Sequence, residues 1–136
     1  LEVDAPILAK ATLEGIAMDL ADQIGLLAGG TVDIDEVRIS GAGGRDRVGA
    51  QLRADIIGLP VRSVAPLDAG PTAAAALALA AALPGRSVEA AMAALLELGP
   101  TIEPRLDQHR VYREIGQQRR RLRADLAGSR PAAVER

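Results

Sequence analysis

The stretch Val37-Arg38-Ile39-Ser40-Gly41-Ala42-Gly43-Gly44-Arg45-Asp46, running on to Gly58, decides how the rest of the chain is read. Val37 to Ile39 has the β-branched, apolar character of a short strand. Ser40 to Gly44 then breaks it with three glycines in five residues. Asp46 is a good N-cap for a helix reaching about Ile57, with Gly58 as its stop and Pro60 just beyond. A glycine-rich turn leaving a strand lets the backbone approach a ligand without Cβ obstruction. The helix start behind it aims free N–H groups and a positive partial charge at the same place. Phosphate is the usual occupant of such a corner, and Arg45 would add charge. Spacing alone fits a tight strand-to-helix connection that binds nothing equally well. Two familiar phosphate patterns are excluded. Gly44 is followed by Arg45-Asp46 rather than Lys and Ser or Thr, and Asp46 stands where the dinucleotide pattern needs its last glycine.

Upstream, Ile7, Leu8, Ala11, Ile16, Leu20, Ile24 and Leu27 fall near helical spacing. They predict one long helix from about Ala5 to Ala28, closed by Gly29-Gly30. Thr31 to Glu36 reads as a turn. Downstream, Val61 to Val64 reads as a second short strand and Asp68 to Pro71 as a loop, with Pro71 opening a helix to Leu83. Pro84-Gly85 ends that helix. Ser87 caps another over roughly Val88 to Leu98, closed by Gly99-Pro100. Thr101 to Arg105 crosses over to a basic helix at about Asp107 to Leu126, and 127–136 reads as a fraying tail. The order is helix, strand, helix, strand and three helices, an α/β class that is helix-rich with a few short strands and no internal repeat. Two short strands alone make a marginal sheet. They are better explained as part of a larger sheet whose other strands lie elsewhere in a longer chain.

The 136 residues give room for one ordinary domain. Hydrophobic residues make up 49%, yet there is no Phe, no Trp and one Tyr, so Leu, Ile, Val and Ala must fill the core. That favours closely packed helices. No apolar run reaches bilayer-spanning length uninterrupted, and the richest, Ala73 to Leu83, reads as a buried helix. The absence of Cys excludes disulfides, thiolate catalysis and Cys-based zinc sites, and a single His109 excludes a multi-histidine metal site within this chain. A net charge of −2 gives no overall pull toward nucleic acid or anionic membrane, and a cytoplasmic location fits. Leu1 to Ala5 carry no signal-peptide pattern, and Leu rather than Met at the first position hints at an excised or processed segment.

The full segment VRISGAGGRDRVGAQLRADIIG, Val37 to Gly58, resembles a stretch of the FGGY carbohydrate kinases. That stretch runs strand, Gly-Gly-Gly-Ala, basic residue, Ser or Asn, helix, and Ala-Asp-Ile-x-Gly. Gly41, Ala42, Gly43 and Gly44 fall on the glycine run, Arg45 on the basic position, and Asp46 where the family has Ser or Asn. Ala54-Asp55-Ile56-Ile57-Gly58 matches the helix end. Leu13-Glu14-Gly15-Ile16-Ala17 is similar to the helix preceding that strand in the family. Asp68-Ala69-Gly70-Pro71-Thr72 resembles the Asp-x-Gly-Pro-Ala of xylulokinases. Pro104 to Tyr112, with Leu122, follows the family's closing Pro, Tyr and Arg-rich helix. Together the matches cover nearly the whole chain in the right order. The departures are Ala42 and Ala74 in place of glycines, the negative charge of Asp46, and the loss of most aromatic positions in the last helix.

The resemblance implies that residues 1–126 are the C-terminal nucleotide-binding portion of a sugar kinase, with 127–136 a flexible tail. The implied fold is a partial ribonuclease-H-like domain of the actin/hexokinase ATPase type. Gly41, Ala42, Gly43, Gly44, Arg45 and Asp46 would then lie against ATP, with Mg²⁺ on its phosphates. The implied reaction moves the γ-phosphoryl group to a sugar hydroxyl, most naturally of a ketopentose such as xylulose. Such transfer rests on positioning and charge stabilisation and needs both walls of a cleft. In the family, the Asp base and the sugar contacts precede this segment, so no catalytic residue or metal ligand is assigned here and the segment alone is expected to be inactive. The missing N-terminal kinase domain is the expected partner, and a homodimer is left open. The alternative is a kinase-derived binding or scaffolding module without catalysis. Asp33, Asp35, Glu36, Glu89, Glu97, Glu103 and Asp107 read as solvated or helix-start carboxylates, Asp55 as a local cap or pair, and His109 as a surface residue. Arg110, Arg113, Arg119, Arg120, Arg121 and Arg123 form a basic run without interleaved aromatics, which reads as a solvated helix face rather than a nucleic-acid surface.

Overall fold

A computed structural model describes residues 4–30, 32–66 and 68–128. Helix α1 (Ala5–Ala28) starts where the Asp4 carboxylate accepts the Ile7 N–H at 3.0 Å, and Pro6 occupies its first turn, where no donor is needed. Strand β1 (Val37–Ile39) leads through a 3₁₀ turn at Ala42–Gly44 into α2 (Arg47–Ile57), then β2 (Val61–Ala65). Helices α3 (Ala69–Ala82) and α4 (Val88–Leu95) follow, then strand β3 (Glu97–Ile102) and α5 (Leu106–Gly128). Ser87 caps α4 through the Ala90 N–H, as its sequence position suggests. Helix α3 begins at Ala69, so Pro71 sits inside the first turn rather than opening it. Helix α5 continues two residues past Leu126, and residues 129–136 of the expected tail lie outside the described residues. Among the described residues, no helix is long and apolar enough to cross a membrane.

The sheet has order β1-β2-β3, with β1 parallel to β2 and β3 antiparallel to it. The third strand corrects the sequence reading, which carries α4 to Leu98 and expects Gly99-Pro100 to be a helix stop. The helix ends at Leu95, and Gly99-Pro100 lies inside a strand. Two local facts make that workable. β3 is an edge strand, where a proline's missing donor costs no ladder bond. Gly99 also lies so close against Ser63 that a Cβ there would collide, at the point where the register slips between Arg62 and Val64. Arg62 Nε donates to the Gly99 carbonyl at 2.9 Å and holds the irregularity in place.

Helix α2 meets α1, α5, β2, β3 and the turn that precedes it. One face places Ala50 and Ala54 on Val61, with Val37, Ile39 and Ile102 around them. The other brings Ile56 against Ala17 and Met18 of α1, with Leu52 and Tyr112 closing over. Small residues at Ala50 and Ala54 allow the close helix-to-sheet approach that a core without Phe or Trp requires. Helices α3 and α4 form a hairpin through buried Thr72, Ala76 and Ala91.

The end of α2 is fastened by an ion pair whose carboxylate is buried and whose guanidinium is largely exposed. Asp55 has no exposed surface. Its Oδ1 accepts the Arg105 backbone N–H at 2.8 Å and Gln51 Nε2 at 3.0 Å, and its Oδ2 accepts Arg105 Nε at 3.0 Å and Nη2 at 2.6 Å. Gln51, one helical turn away, is a local partner of the kind the sequence suggested, and Arg105, fifty residues away, adds a long-range one that it did not. His109 is likewise not a free surface residue: its Nδ1 donates to the Asp55 carbonyl at 2.9 Å. Gly58, left-handed at φ 81°, ends α2 directly beneath the imidazole, where any Cβ would strike the ring.

The basic run on α5 is mostly exposed, as a solvated face should be, but three of its arginines also pair with α1. Arg119 and Arg123 reach Asp19 Oδ1 of α1, at 2.5 and 2.7 Å, and Arg120 reaches Asp22 Oδ1 at 2.8 Å. The guanidinium of Arg119, then that of Arg123, holds the Asp19 carboxyl below its usual range. Tyr112 Oη donates to Glu14 at 2.8 Å, and burial together with that bond pushes its pKa up to about 12.

Burial alone would raise the Asp55 pKa, but hydrogen bonds from Arg105 and Gln51 outweigh it and hold the carboxyl below its ordinary 3.8. A depressed folded-state pKa stabilises fully above the unfolded value and loses its effect as pH falls through the folded one. Replacing Arg105 by Met should therefore lower stability near neutral pH, because Asp55 is left buried with only the backbone N–H and Gln51 as partners. The Asp55→Asn variant should lose part of the acid sensitivity that the parent shows below about pH 4. Urea unfolding of all three proteins from pH 7 to pH 3 checks both. Gly116 is buried on α5 in ordinary helix geometry, and a Cβ there would meet only Arg120 Nη1, at 3.5 Å. Gly116→Ala should raise stability by about 1 kcal/mol in the same measurement.

Candidate functional site

Because β1 and β2 run parallel with Ile39 opposite Ser63, the turn after β1 and the chain after β2 emerge at the same sheet edge. Crevices beyond the carboxyl ends of parallel strands are where open α/β sheets take ligands. Gly41 opens the turn at φ 76°, ψ −162°, a conformation closed to residues with a side chain. Gly44 and Arg45 then donate to the carbonyls of Gly41 and Ala42 at 3.1 and 3.2 Å, closing the 3₁₀ turn. The N–H groups of Ala42 and Gly43 stand outside that internal set. The structure thus brings all six sequence candidates, Gly41 to Asp46, into one compact corner at the start of α2.

Asp46 has a clear structural task. Its Oδ1 accepts the Val48 N–H at 3.0 Å, making it the N-cap of α2, and its backbone carbonyl accepts the Ala50 N–H at 2.9 Å. Its other oxygen lies over Gly49, only 2.6 Å from where a Cβ on that residue would sit. Ser, Asn and Asp are interchangeable as N-caps. The acidic residue at this position is therefore accounted for by helix capping, with its charge set against the positive end of the helix.

Three contributors to the corner escape a reading of the turn by itself. Arg53, half-buried, folds back along α2 so that its Nη1 lies 3.1 Å from the Cβ position of Gly49 and its Nη2 3.4 Å from that of Gly43. Leu13 and Ile16 of α1 form the opposite side of a cavity of about 240 Å³ that also touches Ala42, Gly43, Asp46 and Leu52. The signal for Arg53 was available: Asp46, Gly49 and Arg53 recur at helical spacing, and long side chains lean toward the N-terminus of their helix. Across the turn, Ser40, Pro66, Ala69, Thr72 and Met92 border a second, more apolar cavity of about 260 Å³. Ala74 is exposed on α3 and lines neither cavity.

This arrangement defines a class. The chain has the fold of the C-terminal part of sugar kinases, a helix-rich portion of the ribonuclease-H-like architecture of actin and hexokinase. It superposes on the ligand-bound xylulose kinase of Lactobacillus acidophilus with a TM-score of 0.81 and 22% identity, over 93% of this chain and 26% of that one. For a gluconate kinase of the same organism the TM-score is 0.80 at 21% identity, over 95% of this chain and 27% of that one. A xylulose kinase of Staphylococcus epidermidis is 28% identical over an alignment of 126 residues that covers 87% of this chain and 25% of that protein. Residues 2–82 match the model of the C-terminal domain of the FGGY family of carbohydrate kinases, more than half of the chain. The chain belongs to that family. It spans about a quarter of the length of the curated relatives it matches.

The cap geometry carries its own test. Asp46→Ser should keep stability within about 0.5 kcal/mol of the parent, whereas Asp46→Ala should lose about 1 kcal/mol. Gly49→Ala should destabilise comparably to Asp46→Ala, since its methyl displaces the capping carboxylate. Pairing Gly49→Ala with Asp46→Ala should then give much less than the sum of the two losses, measurable by a denaturant double-mutant cycle.

Proposed function

We propose that this chain is the nucleotide-facing part of an ATP-dependent sugar kinase, with the turn from Gly41 to Asp46 lying along the nucleotide and its phosphates. The carrying observation is the turn itself: a left-handed Gly41 at the carboxyl edge of a parallel strand pair, with the Ala42 and Gly43 N–H groups outside its internal bonds and the α2 N-terminus behind it. Arg45, exposed beside the turn, and Arg53 beneath it supply positive charge. The sugar is proposed to be a ketopentose such as xylulose, in line with what the relatives' names say of those proteins. In the reaction, a sugar hydroxyl oxygen bonds to the γ-phosphorus while the bond from that phosphorus to the β–γ bridging oxygen breaks. Asp46 is the acid nearest the turn and is occupied in capping, so the hydroxyl proton must go to a base supplied by the rest of the kinase. Mg²⁺ accompanying ATP would be held mainly by the phosphates and water. This segment contributes one wall of a cleft, is inactive by itself, and works in the cytoplasm.

Titrating ADP and ATP with Mg²⁺ into the chain, by calorimetry or thermal shift, should give binding in the millimolar range. A Cβ at Gly43 would meet Arg53 at 3.4 Å and Ile39 at 3.6 Å, so Gly43→Val crowds the turn while leaving the core intact. It should weaken nucleotide binding about tenfold, a change of about 1.4 kcal/mol. In the complete kinase the same change should raise the KM for ATP and leave that for sugar alone. Equal effects on both would sink the assignment of the turn, and no response to nucleotide by either form would favour the non-catalytic module.

A further inference from the structure

Helix α5 carries a feature that neither the fold nor the nucleotide corner uses. Its inward side is set by His109, Tyr112, Gly116 and Arg119, which face α1 and α2. On the adjoining flank Val111, Ile115 and Leu122 remain 50%, 42% and 60% exposed. With Gln118 they follow alternating steps of four and three residues, the seam of a two-helix contact. Beside that seam stand Glu114 and Arg121, both exposed. The ion pairs of α5 to α1 use Arg119, Arg120 and Arg123, which leaves Glu114 and Arg121 outside that set.

We infer that this flank is a self-association surface, on which α5 pairs antiparallel with α5 of a second copy of the chain. The occupant follows from the order of the residues. An antiparallel pair with its two-fold axis beside Gly116 and Gln117 sets Val111 against Leu122 of the second copy and Ile115 against its Gln118, each contact occurring twice. The same axis sets Glu114 against Arg121 of the second copy, and Arg121 against its Glu114. Such reciprocity is what a two-fold, self-complementary interface requires. A parallel in-register pair would leave those two charges about 10 Å apart along the axis. Opposite charges flanking an apolar seam choose orientation more than they add affinity. A single helix pair of this length buries on the order of 1,000 Å², at the small end of specific interfaces, so the dimer is weak and concentration-dependent. The inference is independent of whether the glycine turn binds nucleotide.

Sedimentation equilibrium of the chain, from about 1 to 500 μM, should show a monomer–dimer equilibrium in the micromolar range. Ile115→Lys should give monomer throughout, with helicity unchanged by circular dichroism. Arg121→Glu should weaken the dimer about tenfold, because two attractive pairs become repulsive. Adding Glu114→Arg to that variant should restore association to within about threefold of the parent, since an exchange of charges keeps a reciprocal pair intact. A chain that stays monomeric across the range overturns the proposal. So does a dimer that ignores Ile115→Lys, or a charge exchange that fails to restore it. Capture of this flank by a separately supplied N-terminal kinase half, with no dimer formed, would equally overturn it.

Discussion

A carboxylate near the C-terminal end of a helix sits against the negative end of the helix dipole, and one with no exposed surface has lost its water as well. Asp55 is in both positions. It is tolerable there because Arg105 wraps it with a backbone N–H and two guanidinium contacts, while Gln51 turns its amide onto the same carboxylate and onto the Glu103 carbonyl. The consequence is positional as well as energetic. The junction between β3 and α5 is tied to α2, and His109, one turn further along, seals the α2 carboxyl end over Gly58. Where α5 leaves the body, and therefore which of its flanks lies open, follows from this fastening.

Helix α2 carries the fastening at one end and the glycine turn at the other. Its length is fixed between two non-interchangeable termini, the Asp46 cap and the left-handed Gly58. Its roll is fixed by Ala50 and Ala54 on the sheet and Ile56 on α1. A turn held this way cannot shift without disturbing a helix locked at its far end, and preorganised backbone donors depend on such rigidity.

What could be read from the sequence divides along the range of the forces involved. The caps at Asp46 and Ser87, the Gly58 stop and the strand before the turn are local matters of side-chain reach and backbone freedom, and all stand in the structure. β3 was hidden because Gly99-Pro100 carries a strong local stop signal. It is overridden by an edge position and by the close approach of Ser63, neither of which the chain announces locally. The long-range partners of Asp55, His109 and the α5 arginines were hidden for the same reason, since pairs fifty to a hundred residues apart leave no periodic trace. In the corner itself the glycines and Asp46 were legible as a motif. Arg53 enters by folding back along α2 itself, whereas the α1 residues Leu13 and Ile16 enter only through the crossing of two helices.

The cap at Asp46 also bears on how an anion would be held at this corner. A neutral Ser or Asn cap satisfies the same donor and leaves the positive end of α2 facing outward undiminished. An ionised cap consumes part of that field, so phosphate at the turn would draw less from the helix and more from discrete cations. Under the proposed function those cations would be Arg45 in the turn and Arg53, folded back beneath Gly43 and Gly49. Neither guanidinium is committed to one of the ion pairs that fasten α1, α2 and α5. The acidic cap and the returning arginine are best understood together. The carboxylate orders the helix start, and the guanidinium two turns beyond, folded back toward it, offsets the negative charge it brings, so an anion proposed at this corner would not face the carboxylate alone.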